Sequence, residues 1–196
     1  IGYTLINMSS NEVISIIIPV YNAGKNLYYL TERIEFLYDI YSKRHEIIFV
    51  EDCSKDNSWE IIKELVNTKV NIRGIKLQKN FGQHNALLCG IHAANGDKII
   101  TMDDDLQNPP EEIPRLLSKL DEGYDVVYGT PKNETHGLFR DLASKITKIT
   151  LNKAMGADIA ANVSAFRVFR TKLRYAFEKY KSPMVNIDVL LAWGTN

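Results

Sequence analysis

The chain has 196 residues, 45% hydrophobic and 24% charged, and its 24 basic and 24 acidic side chains balance formally. That length suits one domain with a sizeable core, and the composition excludes a disordered, collagenous or disulfide-framed protein. The two cysteines, Cys53 and Cys89, give neither a disulfide framework nor a metal spacing, as expected of a reduced cytosolic setting; no apolar run approaches the roughly 18 residues of a membrane span, and no signal peptide is visible.

Residues 1–12 read as an N-terminal extension, with 1–7 ahead of Met8 as an appended remnant. Val13 to Val20 is β-branched and almost wholly apolar, the pattern of a strand buried on both faces. Asn22-Ala23-Gly24 turns it into a helix of about 17 residues carrying Leu27, Leu30, Ile34, Leu37 and Tyr41. Tyr28, Tyr29, Phe36, Tyr38 and Tyr41 on that helix are expected to pack. A second strand is predicted over Glu46 to Val50, then a helix to about Val66 capped by Asp56, Asn57 or Ser58. Ile72 to Leu77 is a third strand, Gly82 to Ala94 a helix ended by Asn95-Gly96, Lys98 to Met102 a fourth strand, Ile113 to Leu120 a helix, and Asp125 to Tyr128 a fifth strand. Beyond Gly129 come an amphipathic stretch from Leu138 to about Met155, a strand within Val163 to Phe169, and helical stretches around Leu173–Lys179 and Ile187–Trp193. Strands alternating with helices predict an α/β fold, Rossmann-like, with a mostly parallel sheet covered by helices on both faces.

The stretch Asp103-Asp104-Asp105-Leu106-Gln107-Asn108-Pro109-Pro110-Glu111 carries the most chemistry. Three adjacent carboxylates repel, and burying them unpaired is costly. A divalent cation relieves that repulsion, and oxygen donors suit Mg²⁺ or Mn²⁺, commonly held by one or two carboxylates and completed by substrate phosphates. In an extended segment Asp103 and Asp105 share one side. The bland alternative is a solvated acidic turn before a helix. Tyr21-Asn22, Glu51-Asp52 and Asp103–Asp105 each follow a strand directly, which places all three at the carboxyl edge of one parallel sheet, where open α/β folds bind ligands. No G-x-G-x-x-G and no Walker-type lysine is present, so a diphosphate here is neutralised mainly by metal.

Four segments in order and spacing over about residues 13–130 resemble the family 2 glycosyltransferases. They are Val13 to Asn22, Val50-Glu51-Asp52-Cys53-Ser54-Lys55-Asp56, Asn80-Phe81-Gly82-Gln83 with Ala86 and Gly90, and Asp103 to Glu111. The last has the form typical of polyprenyl-phosphate sugar transferases, and Ser164-Ala165-Phe166-Arg167 resembles the family's phenylalanine-arginine segment. The resemblance implies a GT-A fold and an inverting enzyme that uses a nucleotide-sugar and a divalent metal. It implies that Pro19, Tyr21 and Asn22 line the base and ribose site, that Glu51 and Asp52 contact base or ribose, and that Asp103, with Asp104 beside it, lies near ribose or sugar. It further implies that Asp103, Asp105 and Gln107 hold the metal and that Arg167 meets a phosphate. Asp188 is the candidate base of the C-terminal part, although a lone Asp on a helix is usually a surface residue.

The chain departs from the family pattern at Glu51 and Cys53, which stand where an Asp and a Gly are usual, and at Ala165, where polyprenyl-phosphate members often have Asp. Lys132 or Arg140 is the candidate substitute for an arginine usual after the fifth strand. The expected organisation is a nucleotide-binding half over 13–130 and an acceptor-side half over 131–196, continuing beyond residue 196 into a membrane region. Residues 131–196 hold 11 basic and 5 acidic groups against 13 and 19 in residues 1–130. That excess suits an anionic partner, and it makes the stretch 138–155 a candidate for the membrane surface. The expected partners are a UDP- or dTDP-sugar and a polyprenyl phosphate at the cytoplasmic membrane face, with a saccharide hydroxyl as the alternative acceptor and a homo-oligomer allowed. Rival readings are an inactive nucleotide-binding module and a metal phosphatase. His84 near a helix start is expected to be partly exposed; His45, His92 and His136 show no ligand spacing, Cys53 has nothing that makes it a nucleophile, and no basic-aromatic alternation points to nucleic acid.

Overall fold

The computed structural model describes residues 12–41, 44–129, 165–180, 182 and 185–195. Its strands are β1 (Val13–Val20), β2 (Arg44–Glu51), β3 (Ile72–Lys76), β4 (Lys98–Thr101), β5 (Val126–Tyr128) and β6 (Arg167–Arg170). Its helices are α1 (Gly24–Tyr41), α2 (Ser58–Thr68), α3 (Gln83–Ala93), α4 (Ile113–Asp121) and α5 (Ile187–Gly194), with 3₁₀ turns at Pro110–Glu112 and Thr171–Phe177. The sheet runs β3-β2-β1-β4-β6-β5; β1 to β4 are parallel, and β6 lies antiparallel to both β4 and β5. The expected helix at Leu173–Lys179 is thus 3₁₀, displaced toward β6. Lys132, Arg140 and the amphipathic stretch 138–155 lie outside the described residues, and among the described residues no helix is long and apolar enough to cross a membrane.

Alternation along the strands divides the core into two layers. Ile14, Ile16, Ile18 and Val20 of β1, with Ile47 and Phe49 of β2, face α1, α2 and α4, while Ile17, Ile48, Val50 and Ile99 face α3, α5 and the second 3₁₀ turn. Continuous β-branched sequence is therefore needed, because both faces of the central strands are dry. On α1 the packing expectation holds only for Tyr38, which is buried and stacked on His45 with ring centroids 4.2 Å apart. Tyr28, Tyr29, Phe36 and Tyr41 are exposed; the buried stripe is already filled by Leu27, Leu30, Thr31, Ile34, Leu37 and Tyr38, and a helix has only one such face.

Helix α3 sits unusually close to the sheet. A Cβ at Gly90 stands 2.4 Å from Ile17 Cγ2 and 3.2 Å from Val50 Cγ2. Neither β-branched partner can retreat in a packed core. Gly90→Ala is expected to cost about 1–3 kcal/mol, read as a lower urea midpoint at unchanged slope.

Candidate active site

Chain direction fixes the site before any side chain does. From β1 the chain crosses to β2 on one side, and from β3 it returns to β4 on the other. The crevice at the carboxyl ends of β1 and β4 is therefore the topological switch point. All three described non-glycine residues with positive φ stand at this edge: Asn22 (55°), Cys53 (61°) and Leu106 (63°). Such conformations persist only where surrounding contacts impose them.

Those contacts are visible. Asn22 N–H donates to Ser54 Oγ (3.0 Å), and Asn22 Oδ1 accepts from Lys55 N–H (2.8 Å). Ala23 N–H donates to Ser58 Oγ (3.0 Å). Asp56 caps two helices at once, with Oδ2 accepting from Gly24 N–H (3.0 Å) and Oδ1 from Ser58 N–H (3.0 Å) and its hydroxyl (2.5 Å). Burial alone raises the Asp56 pKa, but the bonds from Ser58 and Gly24 outweigh it and hold the carboxyl below its ordinary value. The loops after β1 and β2 are thus tied to one another. Asp52 fastens a third loop, accepting from Phe81 N–H (2.7 Å) and Gly82 N–H (2.8 Å), one on each oxygen.

A cavity of about 430 Å³ opens between these loops, lined by Pro19, Val20, Tyr21, Asp52, Asn80, Gly82, Gln83, Asp103, Asp104 and Asp105. The acidic segment is not extended here. Residues 104–108 form a bend. Asp105 Oδ1 accepts from Gln107 N–H (3.0 Å), and Leu106 takes the left-handed conformation with its side chain against the core. This turn still delivers Asp103 and Asp105 to one cavity. Gln83 Nε2 donates to Asp103 Oδ1 (2.5 Å). Burial, then the Asp105 charge, pushes Asp103 up to about 6, against the opposing Arg167 charge and the Gln83 bond. Burial likewise pushes Asp104 up to about 6, with Asp103 and Asp105 adding repulsion against a bond from Tyr21 N–H.

Behind the cavity lies a buried polar group. Arg167 and Asp188 are each 2% exposed and joined through Nη1 and Oδ1. Tyr128 hydrogen-bonds Asp188, its ring 5.9 Å from the Arg167 guanidinium carbon, and its phenol is raised by burial first and by Asp188 next. His84 Nδ1 accepts from Ile187 N–H (3.3 Å) and is held below its ordinary value by burial and by Arg167. Asp188 is therefore a core residue in the first turn of α5, contrary to the surface position expected of it.

Of the residues expected at the site, Pro19, Tyr21, Asp52, Asp103, Asp104 and Asp105 line the cavity together. Asn22 is spent on stitching loops. Glu51 is fully buried, with one oxygen accepting from Ser54 N–H and the other without a partner among the described residues. Gln107 is exposed outside the lining, and Arg167 is buried behind it. Asn80 and Gln83 also line the cavity and belong to a segment for which the resemblance implies no role, and the sequence marks Tyr128 only as the last residue of an apolar strand. Among the described residues no three His, Cys, Asp or Glu side chains converge as a metal site. The pair Asp103 and Asp105 nevertheless fits a hard divalent cation completed by ligand oxygens, because added positive charge relieves the burial and repulsion that raise Asp103.

Two changes read this strain. Cys53→Gly is expected to stabilise the fold by about 1 kcal/mol, since glycine meets the positive φ without a Cβ penalty. Asp104→Asn keeps an acceptor for Tyr21 N–H and removes a disfavoured charge. A carboxyl raised in the folded state binds more protons there than when unfolded, so stability falls as pH rises from about 4 through the folded value. In metal-free buffer Asp104→Asn is expected to gain about 1–2 kcal/mol at pH 7 and little near pH 4, measured by urea melts.

Residues 15–177 match the description "Glycosyl transferase family 2". The chain is 41% identical over 167 residues to the undecaprenyl-phosphate 4-deoxy-4-formamido-L-arabinose transferase of Yersinia enterocolitica, covering 83% of this chain and 51% of that protein. The Proteus mirabilis protein of the same name is 40% identical over 158 residues, 80% of this chain and 48% of its own. The chain thus spans about half the length of the curated relatives it matches. In structure it is similar to the glucosyl-3-phosphoglycerate synthase of Mycobacterium tuberculosis solved with Mn²⁺ and UDP-glucose, at a TM-score of 0.65 and 18% identity, over 89% of this chain and 63% of that one. That likeness shows the GT-A fold. By its sequence match over residues 15–177, the chain belongs to glycosyl transferase family 2.

Proposed function

We propose that the cavity at the β1/β4 edge is the donor site of an inverting glycosyltransferase. The enzyme moves a sugar from a UDP- or dTDP-sugar to a polyprenyl phosphate at the cytoplasmic face of a membrane, with Mg²⁺ or Mn²⁺ held by Asp103 and Asp105. The observation that carries the reading is the meeting of three strand-end motifs, through Tyr21, Asp52 and Asp103–Asp105, on one cavity of about 430 Å³. The acceptor follows from relatives about 40% identical whose names state undecaprenyl-phosphate transfer, and the metal from the Mn²⁺ and UDP-glucose in the structural neighbour.

In this reading Asp52 does two jobs. It fixes the Asn80–Gln83 loop, and its remaining lone pairs accept from base N–H donors. Pro19 and Tyr21 wall the nucleoside, while Gln83 orients Asp103. A bound divalent cation supplies neutralisation of the charge that builds on the departing nucleoside diphosphate. A phosphate acceptor is already anionic at pH 7, so it needs positioning and no general base. The engagement of Asp188 by Arg167 favours that acceptor over a neutral saccharide hydroxyl, which needs a free base.

Calorimetric titration of UDP, dTDP and GDP with Mn²⁺ and with EDTA tests the donor site. One nucleotide is expected to bind only with metal, at least about tenfold weaker in Asp105→Ala. Sugar transfer to a short-chain polyprenyl phosphate tests the reaction. Binding without transfer or hydrolysis marks a nucleotide-binding module, phosphate release from simple phosphoesters marks a phosphatase, and no binding under any condition overturns the reading.

A further inference from the structure

The Arg167 guanidinium is the one buried arginine among the described residues, and its place follows from strand direction. Because β6 runs antiparallel, its first residue stands beside Thr101 at the end of β4 and Tyr128 at the end of β5. Arg167 and Phe169 share a strand face, and Phe169 packs in the layer of α3 and α5. The guanidinium therefore lies between the first turns of two helices, His84 on α3 and Asp188 on α5, directly behind the cavity.

A guanidinium cannot lose its proton and carries five donors in a fixed fork. One nitrogen, Nη1, is satisfied by Asp188. Nε is buried and has no partner among the described residues. Asp188 is itself engaged twice: Oδ1 takes Nη1, the carboxylate takes the Tyr128 hydroxyl, and the residue is 2% exposed. A general base needs an oxygen within reach of the proton it removes, and this carboxylate is instead turned to Arg167 and Tyr128. The first turn of α5 is fixed from both sides, by Asn186 Oδ1 accepting from Asp188 N–H (3.0 Å) and Val189 N–H (3.2 Å), and by His84 accepting from Ile187 N–H. The carboxylate is thus built as a rigid mount.

We propose that Asp188 is a positioning residue which, with Tyr128, aims the unpartnered face of the Arg167 guanidinium, Nε included, at a phosphate oxygen. The inference rests on the donor-site reading and assigns Asp188 a role other than catalytic base. The phosphate belongs either to the nucleotide donor or to the acceptor, and the two sources separate experimentally.

The full chain is titrated calorimetrically in two arms, UDP with Mn²⁺ and a short-chain polyprenyl phosphate. Asp188→Ala is expected to weaken one arm by about tenfold or more. In a double-mutant cycle the variant lacking both side chains is expected to bind no more weakly than Arg167→Ala alone, because Asp188 acts through Arg167. Tyr128→Phe is expected to weaken the same arm about two- to fivefold. Removing Asp188 strands a buried cation and can unfold the protein. Asp188→Asn and Tyr128→Phe then carry the test, and unchanged affinity in both arms for both variants overturns the inference. Additive losses in the cycle overturn it as well, as does wild-type binding by Asp188→Ala together with lost transfer, the signature of a base. Wild-type protein that binds in neither arm overturns the donor-site reading itself.

Discussion

Like charge crowded at one sheet edge is the constraint on which the rest of this structure depends. Glu51, Asp52, Asp103, Asp104, Asp105 and Asp188 all stand at or behind the carboxyl ends of neighbouring strands, against the buried Arg167. Carboxylates gathered in this way repel one another and resist burial. Each is held by a different device. Glu51 takes the Ser54 N–H, Asp52 takes two backbone N–H groups, Asp104 takes the Tyr21 N–H, Asp105 closes a turn on Gln107, Asp103 is met by Gln83, and Asp188 by Arg167. The two apolar layers below are rigid enough to keep these groups together.

The same crowding explains why strained backbone gathers here and nowhere else among the described residues. A parallel sheet offers its loops at fixed spacing, and bringing three of them onto one cavity forces Asn22, Cys53 and Leu106 into left-handed backbone. The bonds among Asn22, Ser54, Asp56 and Ser58 hold that arrangement before any ligand arrives, which is the preorganisation a binding site needs.

Much of this was legible in the sequence. The β-branched run at Val13–Val20 marks a strand with two dry faces, and the placement of Tyr21, Asp52 and Asp103 immediately after strands puts them on one edge. Local pattern could not show direction, so the antiparallel insertion of β6 and the resulting neighbourhood of Arg167, Tyr128 and Asp188 were invisible. Asp188 looked like a surface residue because burial of a charge depends on a partner 21 positions away, which periodicity does not encode. The aromatic residues of α1 misled for a related reason: composition named five packing residues, but the geometry of one helix face admitted only Tyr38. The extended reading of Asp103–Asp105 failed because Asp105 bonds its own backbone two residues on, a preference of short acidic side chains that competes with strand geometry.

The pairing of β5 with β6 carries a consequence for how such a protein diversifies. Tyr128 and Arg167 are cross-strand neighbours, and Gly129 N–H donates to Phe166 O at 2.8 Å just beyond them. The end of β5 and the start of β6 are thus held together at this clasp. Closing a longer excursion across a fixed clasp adds only about 0.6 kcal/mol per doubling of its length. The sequence that joins β5 to β6 can therefore change in length while the sheet edge keeps its register. Change in the joining residues is thereby uncoupled from change in the residues that line the cavity.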